Sequence, residues 1–129
     1  VIDASDIPDL VPAIAVMMSF WYKPCTITNC GRLKIKECDR LEATTELING
    51  LGGRAVAHSD SIEIFPVDSF KGGTVKFYND HRIAMAGAIA ATRSTSDVII
   101  KGAECTNKSY PGFFDDFRAL GGIADVISI

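Results

Sequence analysis

The tripeptide Leu-Gly-Gly occurs twice in this chain, at Leu51–Gly53 and at Leu120–Gly122, 69 residues apart, each time after a stretch with helical periodicity. Glycines at that place end a helix, because a left-handed residue past its last turn costs glycine little. Lys36 and Lys108 stand 72 residues apart, as do Asp9 and His81, so the correspondence runs along most of the sequence. Each cycle reads helix, strand, basic loop, helix, Leu-Gly-Gly, strand. Such alternation predicts an α/β fold of about two repeated units, roughly 1–70 and 71–129, with their equivalent loops at one end of the structure. The competing reading is a chance match of short α/β segments.

Along the chain, Asp6 to Pro12 has the chemistry of a helix start, beginning near Pro8 or near Pro12, and apolar residues continue to Trp21. Cys25 to Asn29 predicts a strand. From Glu37, the positions Leu41, Thr44, Leu47, Ile48 and Leu51 recur at helical spacing. Short strands follow at Arg54–Ala57 and Ser61–Phe65, with a Ser-Asp turn between them, and another is expected at Thr74–Phe77. Asp80 caps an alanine-rich helix from about His81 to Arg93. Val98 to Lys101 makes a strand, Ser109 is expected to cap the last helix, and Ala124–Ile129 reads as extended. Trp21 and Tyr22 are expected to pack against the first helix, and Phe113 and Phe114 to enter the core.

A chain of 129 residues can bury roughly two-thirds of its unfolded surface and needs no covalent staple. Its net charge of −3 argues against a general nucleic-acid or membrane surface, so any anion site must be local. Cys25, Cys30, Cys38 and Cys105 form no CxxC pair, and with His58 and His81 they do not have zinc spacing. They read as reduced thiols of a cytoplasmic protein. The apolar stretch around Pro12 is too short to span a bilayer, and no signal peptide is evident. The chain opens on Val1 in mid-pattern, as a fragment or a processed product would.

The basic residues are the least expected feature. Lys36 and Arg40 lie four apart across a helix start, where they repel each other and the positive end of the helix dipole. His81 and Arg82 follow the Asp80 cap, and Lys108 precedes Ser109. Cations at three helix starts point to one multiply charged anion. Against this stands a plainer reading, in which Lys34 and Lys36 are solvated and Arg40 pairs with Glu37 or Asp39 at the surface.

The segments DIPDL, GRLKIKECDRL, NDHRIAM and TNKSYPGFF, in this order and spacing, resemble the C-terminal part of the 5-enolpyruvylshikimate-3-phosphate synthases, from about Asp3 to Gly121. The resemblance implies two lobes, each of three α/β units. This chain would be an enolpyruvyl transferase-like lobe built from repeated βαβαββ-type units, incomplete here. It implies transfer of the enolpyruvyl group of phosphoenolpyruvate to the 5-hydroxyl of shikimate 3-phosphate, with release of phosphate, no metal or organic cofactor, and inhibition by glyphosate. Carried over by motif, Asp9 matches the base for the attacking hydroxyl and Lys36 contacts the same substrate region. Glu37 matches the acid that protonates the methylene carbon. Arg40, Arg82 and Lys108 match the cations that hold phosphoenolpyruvate, with His81 beside them. Arg32 departs from the asparagine many members carry, and Cys38 is implied to be a small neighbour rather than a catalytic thiol.

The chemistry suits such residues: the addition needs a base for oxygen and an acid for carbon, and a trianion needs guanidinium forks and an ammonium. The family's remaining phosphoenolpyruvate ligands and the loop for the shikimate phosphate lie in preceding sequence, so the partner implied is the remainder of the same enzyme, with self-association of the isolated piece. Two alternatives stay open. One is a non-catalytic folded fragment or assembly subdomain; the other is a relative of UDP-N-acetylglucosamine enolpyruvyl transferase, which lacks the KECDR and NDHRIAM pairing. Asp9 and Asp80 could serve only as helix caps, His81 as a satisfied core histidine, and Asp39 as a cap or a support for Arg40.

Overall fold

The structure, a computed structural model, describes residues 1–35, 39–76 and 78–125. Strands β1 (Ile2–Asp3), β2 (Cys25–Thr28), β3 (Arg54–Ala57) and β4 (Ile62–Phe65) form a sheet of order β1-β2-β4-β3. β1 runs parallel to β2, while β4 is antiparallel to both β2 and β3. Strands β5 (Gly73–Val75) and β6 (Val98–Ile100) pair in parallel as a second sheet. Among the described residues four α-helices accompany them: α1 (Val11–Met18), α2 (Arg40–Gly50), α3 (His81–Ala91) and α4 (Phe113–Ala119). Three 3-10 segments, at Pro8–Leu10, Gly31–Ile35 and Ala103–Lys108, precede helices.

Alternation explains the first sheet. Cys25 and Ile27 on β2, and Ile62 and Ile64 on β4, point into the core while the residues between them stay partly exposed. Beneath it α1 packs along α3, and both touch α2. Small side chains permit this approach: Ala15 of α1 and Ala86 and Ala90 of α3 are fully buried. Val11, Val16, Leu41, Ile48, Ile83 and Phe70 complete one continuous core. Each buried aliphatic side chain adds about 1.5–3 kcal/mol, which suffices without a staple. Cys25, Cys30 and Cys105 are buried free thiols, and burial pushes the Cys30 thiol up to about 11, which keeps it protonated and unreactive.

The start of the first helix is divided between the two expected places. Pro8 opens a 3-10 turn and Pro12 sits in the first turn of α1, so both prolines occupy positions where a missing N–H costs nothing. Asp39 caps α2 by accepting from the Glu42 amide at 3.1 Å, and Asp80 caps α3 by accepting from the Arg82 amide at 2.9 Å. The expected strand at Thr74–Phe77 begins and ends earlier, at Gly73–Val75, and Phe77 lies outside the described residues.

Three expectations are corrected. Ser109 does not cap the last helix: α4 starts at Phe113 after Gly112, because residues 103–108 wind into a 3-10 segment that ends at Lys108. Trp21 and Tyr22 do not join the core that α1 packs into. They are 47% and 75% exposed and lie against each other, since the chain leaves the helix at Ser19. Phe113 and Phe114 do not enter the core either, as α4 buries none of its residues. Both instead join Tyr110 and Phe117 in a partly exposed aromatic cluster. Of Ala124–Ile129, residues 126–129 lie outside the described residues, and Ala124 and Asp125 belong to no strand.

The link between the sheets turns on Gly72, at φ +107°, where a Cβ would lie 2.7 Å from the Ser96 carbonyl oxygen and 2.8 Å from that of Asp97. Gly72→Ala combines a disfavoured dihedral with a backbone clash and should destabilise the chain by about 2 kcal/mol or more in urea unfolding. A cost under about 0.5 kcal/mol would show that the strand can move aside.

Candidate functional site

Three helix beginnings are joined by a single buried guanidinium. Asp9 comes from the 3-10 turn before α1, Arg40 is the first residue of α2, and Asp80 is the cap of α3. Arg40 Nε donates to Asp80 Oδ2 at 2.7 Å and its Nη1 to Asp9 Oδ1 at 2.8 Å. Arg40 and Asp80 are each 1% exposed, whereas the Asp9 side chain is 50% exposed. Arg40 is thus buried rather than solvated at the surface as the plainer reading required, and Glu37 lies outside the described residues. A guanidinium can be buried because planar, paired donors match carboxylate oxygens.

His81 extends this network. Its Nε2 lies 3.5 Å from Arg40 Nη2, and its Nδ1 is hydrogen-bonded to Ser109 Oγ. Arg40 can only donate, so in that contact Nε2 is the acceptor. His81 is therefore both a satisfied buried histidine and a member of the cluster. The serine read as a helix cap is its partner, a role with no local sequence signal, since the two are 28 residues apart.

The two remaining cations differ from Arg40. Arg82 Nε is buried without a hydrogen-bond partner among the described residues. Lys108 lies at the end of its 3-10 segment rather than at a helix start, where a cation suits the carbonyl end of the turn. Cations therefore follow two helix starts among the described residues, at Arg40 and at His81–Arg82. The Lys108 ammonium donates to the backbone oxygen of Asn79 at 3.0 Å and to its side-chain oxygen at 2.9 Å. Beside it is an open recess of about 380 Å³ lined by Asn79, Glu104, Cys105, Asn107 and Lys108. Arg32 is exposed and donates to the Ser5 carbonyl at 3.3 Å. Lys36, Glu37 and Cys38 lie outside the described residues.

In this arrangement Asp9 is half exposed and holds a fixed cation through Oδ1. Lys108 is tied to Asn79, three residues before Arg82 at the start of α3. No group of three or more His, Cys, Asp or Glu side chains could hold a metal among the described residues. None of the described helices is long and apolar enough to cross a membrane.

Residues 1–117 match the family described as EPSP synthase (3-phosphoshikimate 1-carboxyvinyltransferase). The chain belongs to the EPSP synthase family. Among curated relatives, the 3-phosphoshikimate 1-carboxyvinyltransferase of Clostridium kluyveri is 46% identical over 129 residues, covering 100% of this chain and 30% of that protein. That of Clostridium acetobutylicum is 48% identical over 122 residues, covering 95% and 28%. The solved structure of EPSP synthase from Acinetobacter baumannii superposes with a TM-score of 0.86 at 26% identity, over 92% of this chain and 28% of that one. The chain therefore has the α/β fold of part of an EPSP synthase and spans under a third of the length of these relatives.

Proposed function

We propose that this chain forms one wall of a site where the enolpyruvyl group of phosphoenolpyruvate passes to the 5-hydroxyl of shikimate 3-phosphate, in a cytoplasmic enzyme of the shikimate pathway. The observation that carries this reading is the buried Nε of Arg82, which has no hydrogen-bond partner among the described residues. A buried donor left unmet costs about 1–3 kcal/mol, and more when charged, and an anion removes that cost. Family membership supports phosphoenolpyruvate as the anion, and the nearby carboxylate, histidine and lysine suit the remaining parts.

Asp9 takes the proton of the attacking hydroxyl, a role suited to a half-exposed carboxylate whose other side is anchored to Arg40. Glu37 protonates the methylene carbon, and Lys36 contacts the shikimate side. The new C–O bond gives a tetrahedral adduct; loss of phosphate and of a proton from the methyl group restores the enol ether. Arg82 and Lys108 hold the phosphate and carboxylate, whose charge must be stabilised as the adduct forms. Arg40 and His81 form the floor, with Arg40 exchanging part of its contact with Asp9 for substrate when Asp9 turns to the hydroxyl. Two repeated units, roughly 1–70 and 71–129, would account for this convergence of helix starts, and the opposite wall would come from the remainder of the enzyme.

The test is Arg82→Lys in the enzyme that carries this segment. Charge is kept and the forked geometry lost, so affinity for phosphoenolpyruvate and for glyphosate should fall by about tenfold or more, and that for shikimate 3-phosphate by under about threefold. Equal losses for both substrates would assign Arg82 to folding.

A further inference from the structure

We infer that Asn79 is a positioning residue for Lys108, holding its ammonium with two uncharged oxygens so that the charge is aimed at the site without being cancelled. The inference deepens the functional reading above and rests on it for the identity of the ligand.

Asn79 is one of two residues other than glycine with positive φ among those described, at +53°. The left-handed conformation disfavours most side chains and is tolerated by asparagine. In this turn the backbone and side-chain oxygens of Asn79 both accept from Lys108 Nζ, across 29 residues of sequence. An ammonium has three N–H donors, so two are committed to one residue and the third remains to point at a ligand. A free lysine on four rotatable bonds would present its charge in many directions; this one is fixed at its tip.

The neutrality of the holder matters. Among the described residues Lys108 pairs with no carboxylate within salt-bridge distance, whereas Arg40 has two. Arg40 is thus electrostatically balanced by Asp9 and Asp80, and Lys108 keeps a full charge for an incoming anion. A second tie, from His81 to Ser109, fastens the residue after Lys108 to the same helix start. The segment 103–109 is therefore clipped at two adjacent points to the beginning of α3.

The experiment uses the full-length enzyme carrying this segment, with Asn79→Gly, Asn79→Asp, Lys108→Met and the Asn79→Gly/Lys108→Met double variant. Glycine accepts the positive φ and keeps the carbonyl, so of the two oxygens that hold Lys108 it removes only the side-chain one. Asn79→Gly should weaken phosphoenolpyruvate binding roughly tenfold with shikimate 3-phosphate within about twofold, and Asn79→Asp should weaken it further by neutralising the lysine. In the Lys108→Met background, Asn79→Gly should add no further loss. Without any ligand, the 13Cε NMR signal of Lys108 should shift toward that of freely exposed lysines in Asn79→Gly. An unchanged signal, equal losses for both substrates, or a full additional loss in the Lys108→Met background would overturn the inference. A parent enzyme that releases no phosphate from phosphoenolpyruvate would overturn the functional reading instead, while a shifted Lys108 signal in Asn79→Gly would still support the clip.

Discussion

Asp80→Ala is expected to lower the stability of this protein by about 3–5 kcal/mol, a large share of the roughly 5–15 kcal/mol that keeps a typical domain folded. Asp80 is 1% exposed and does two things at once: it caps α3 through the Arg82 amide at 2.9 Å and holds Arg40 Nε at 2.7 Å. Losing a cap costs about 1 kcal/mol. The larger part comes from Arg40, which is itself 1% exposed and would keep its charge with one carboxylate removed. The desolvation of a buried guanidinium is balanced only while its partners remain, so breaking one side costs more than the pair ever contributed.

Two further variants separate these effects. Asp80→Asn keeps an oxygen for the Arg82 amide and should recover roughly the 1 kcal/mol of the cap but little of the rest. Arg40→Met in the Asp80→Ala background removes the stranded charge and should recover stability relative to Asp80→Ala alone, since apolar replacements of buried ion pairs are often neutral or better. Urea unfolding of the parent, Asp80→Ala, Arg40→Met and the double variant gives the coupling directly, with Asp80→Asn measured alongside. Should Asp80→Ala cost under about 1 kcal/mol, Arg40 would have to reach water or other partners without strain, and the buried network would not be what joins the three helix starts.

That network also marks the boundary of what could be read in the sequence. The helices, the glycine stops and the strands at Cys25, Arg54 and Ile62 were legible because each is set by local periodicity, caps and turn residues. Asp39 and Asp80 were legible as caps for the same reason. The partners of Arg40 were not, since Asp9 and Asp80 lie 31 and 40 residues away and the nearer carboxylates at 37 and 39 offered a simpler local pairing. Ser109 misled in the opposite direction. A serine before an aromatic run has the form of a cap, yet the intervening Pro111 and Gly112 delay the helix, and its hydroxyl meets His81. Two-residue β1 is too short to carry a period, and its pairing with β2 is decided across the fold. The motifs carried the family, whereas tertiary pairing decided which cations are balanced and which keep their charge.

The same distinction governs what this chain can do unaided. It spans under a third of the length of its relatives, and we expect it to release no phosphate from phosphoenolpyruvate by itself. Holding two substrates in reactive alignment can be worth roughly 7–11 kcal/mol of a barrier, and that gain exists only when both reactants are fixed. Here Asp9 is half exposed, Arg40 is balanced by two carboxylates, and Lys108 stands beside an open recess, so water would screen every contact. Phosphoenolpyruvate should bind with a Kd on the order of millimolar or weaker. Leu10, Met17, Ile35, Leu120 and Ile123 are all exposed apolar side chains, so the isolated chain should also self-associate as its concentration rises. Titration with phosphoenolpyruvate followed by NMR, sedimentation over a range of concentrations, and phosphate-release assays with and without the complementary part of the enzyme test these expectations together. Activity should appear only on adding the complement, because the second wall supplies the fixed geometry that one wall cannot. Full turnover by the chain alone would refute the one-wall reading, and NMR shifts that avoid residues 79–82 and 108 would refute the anion site.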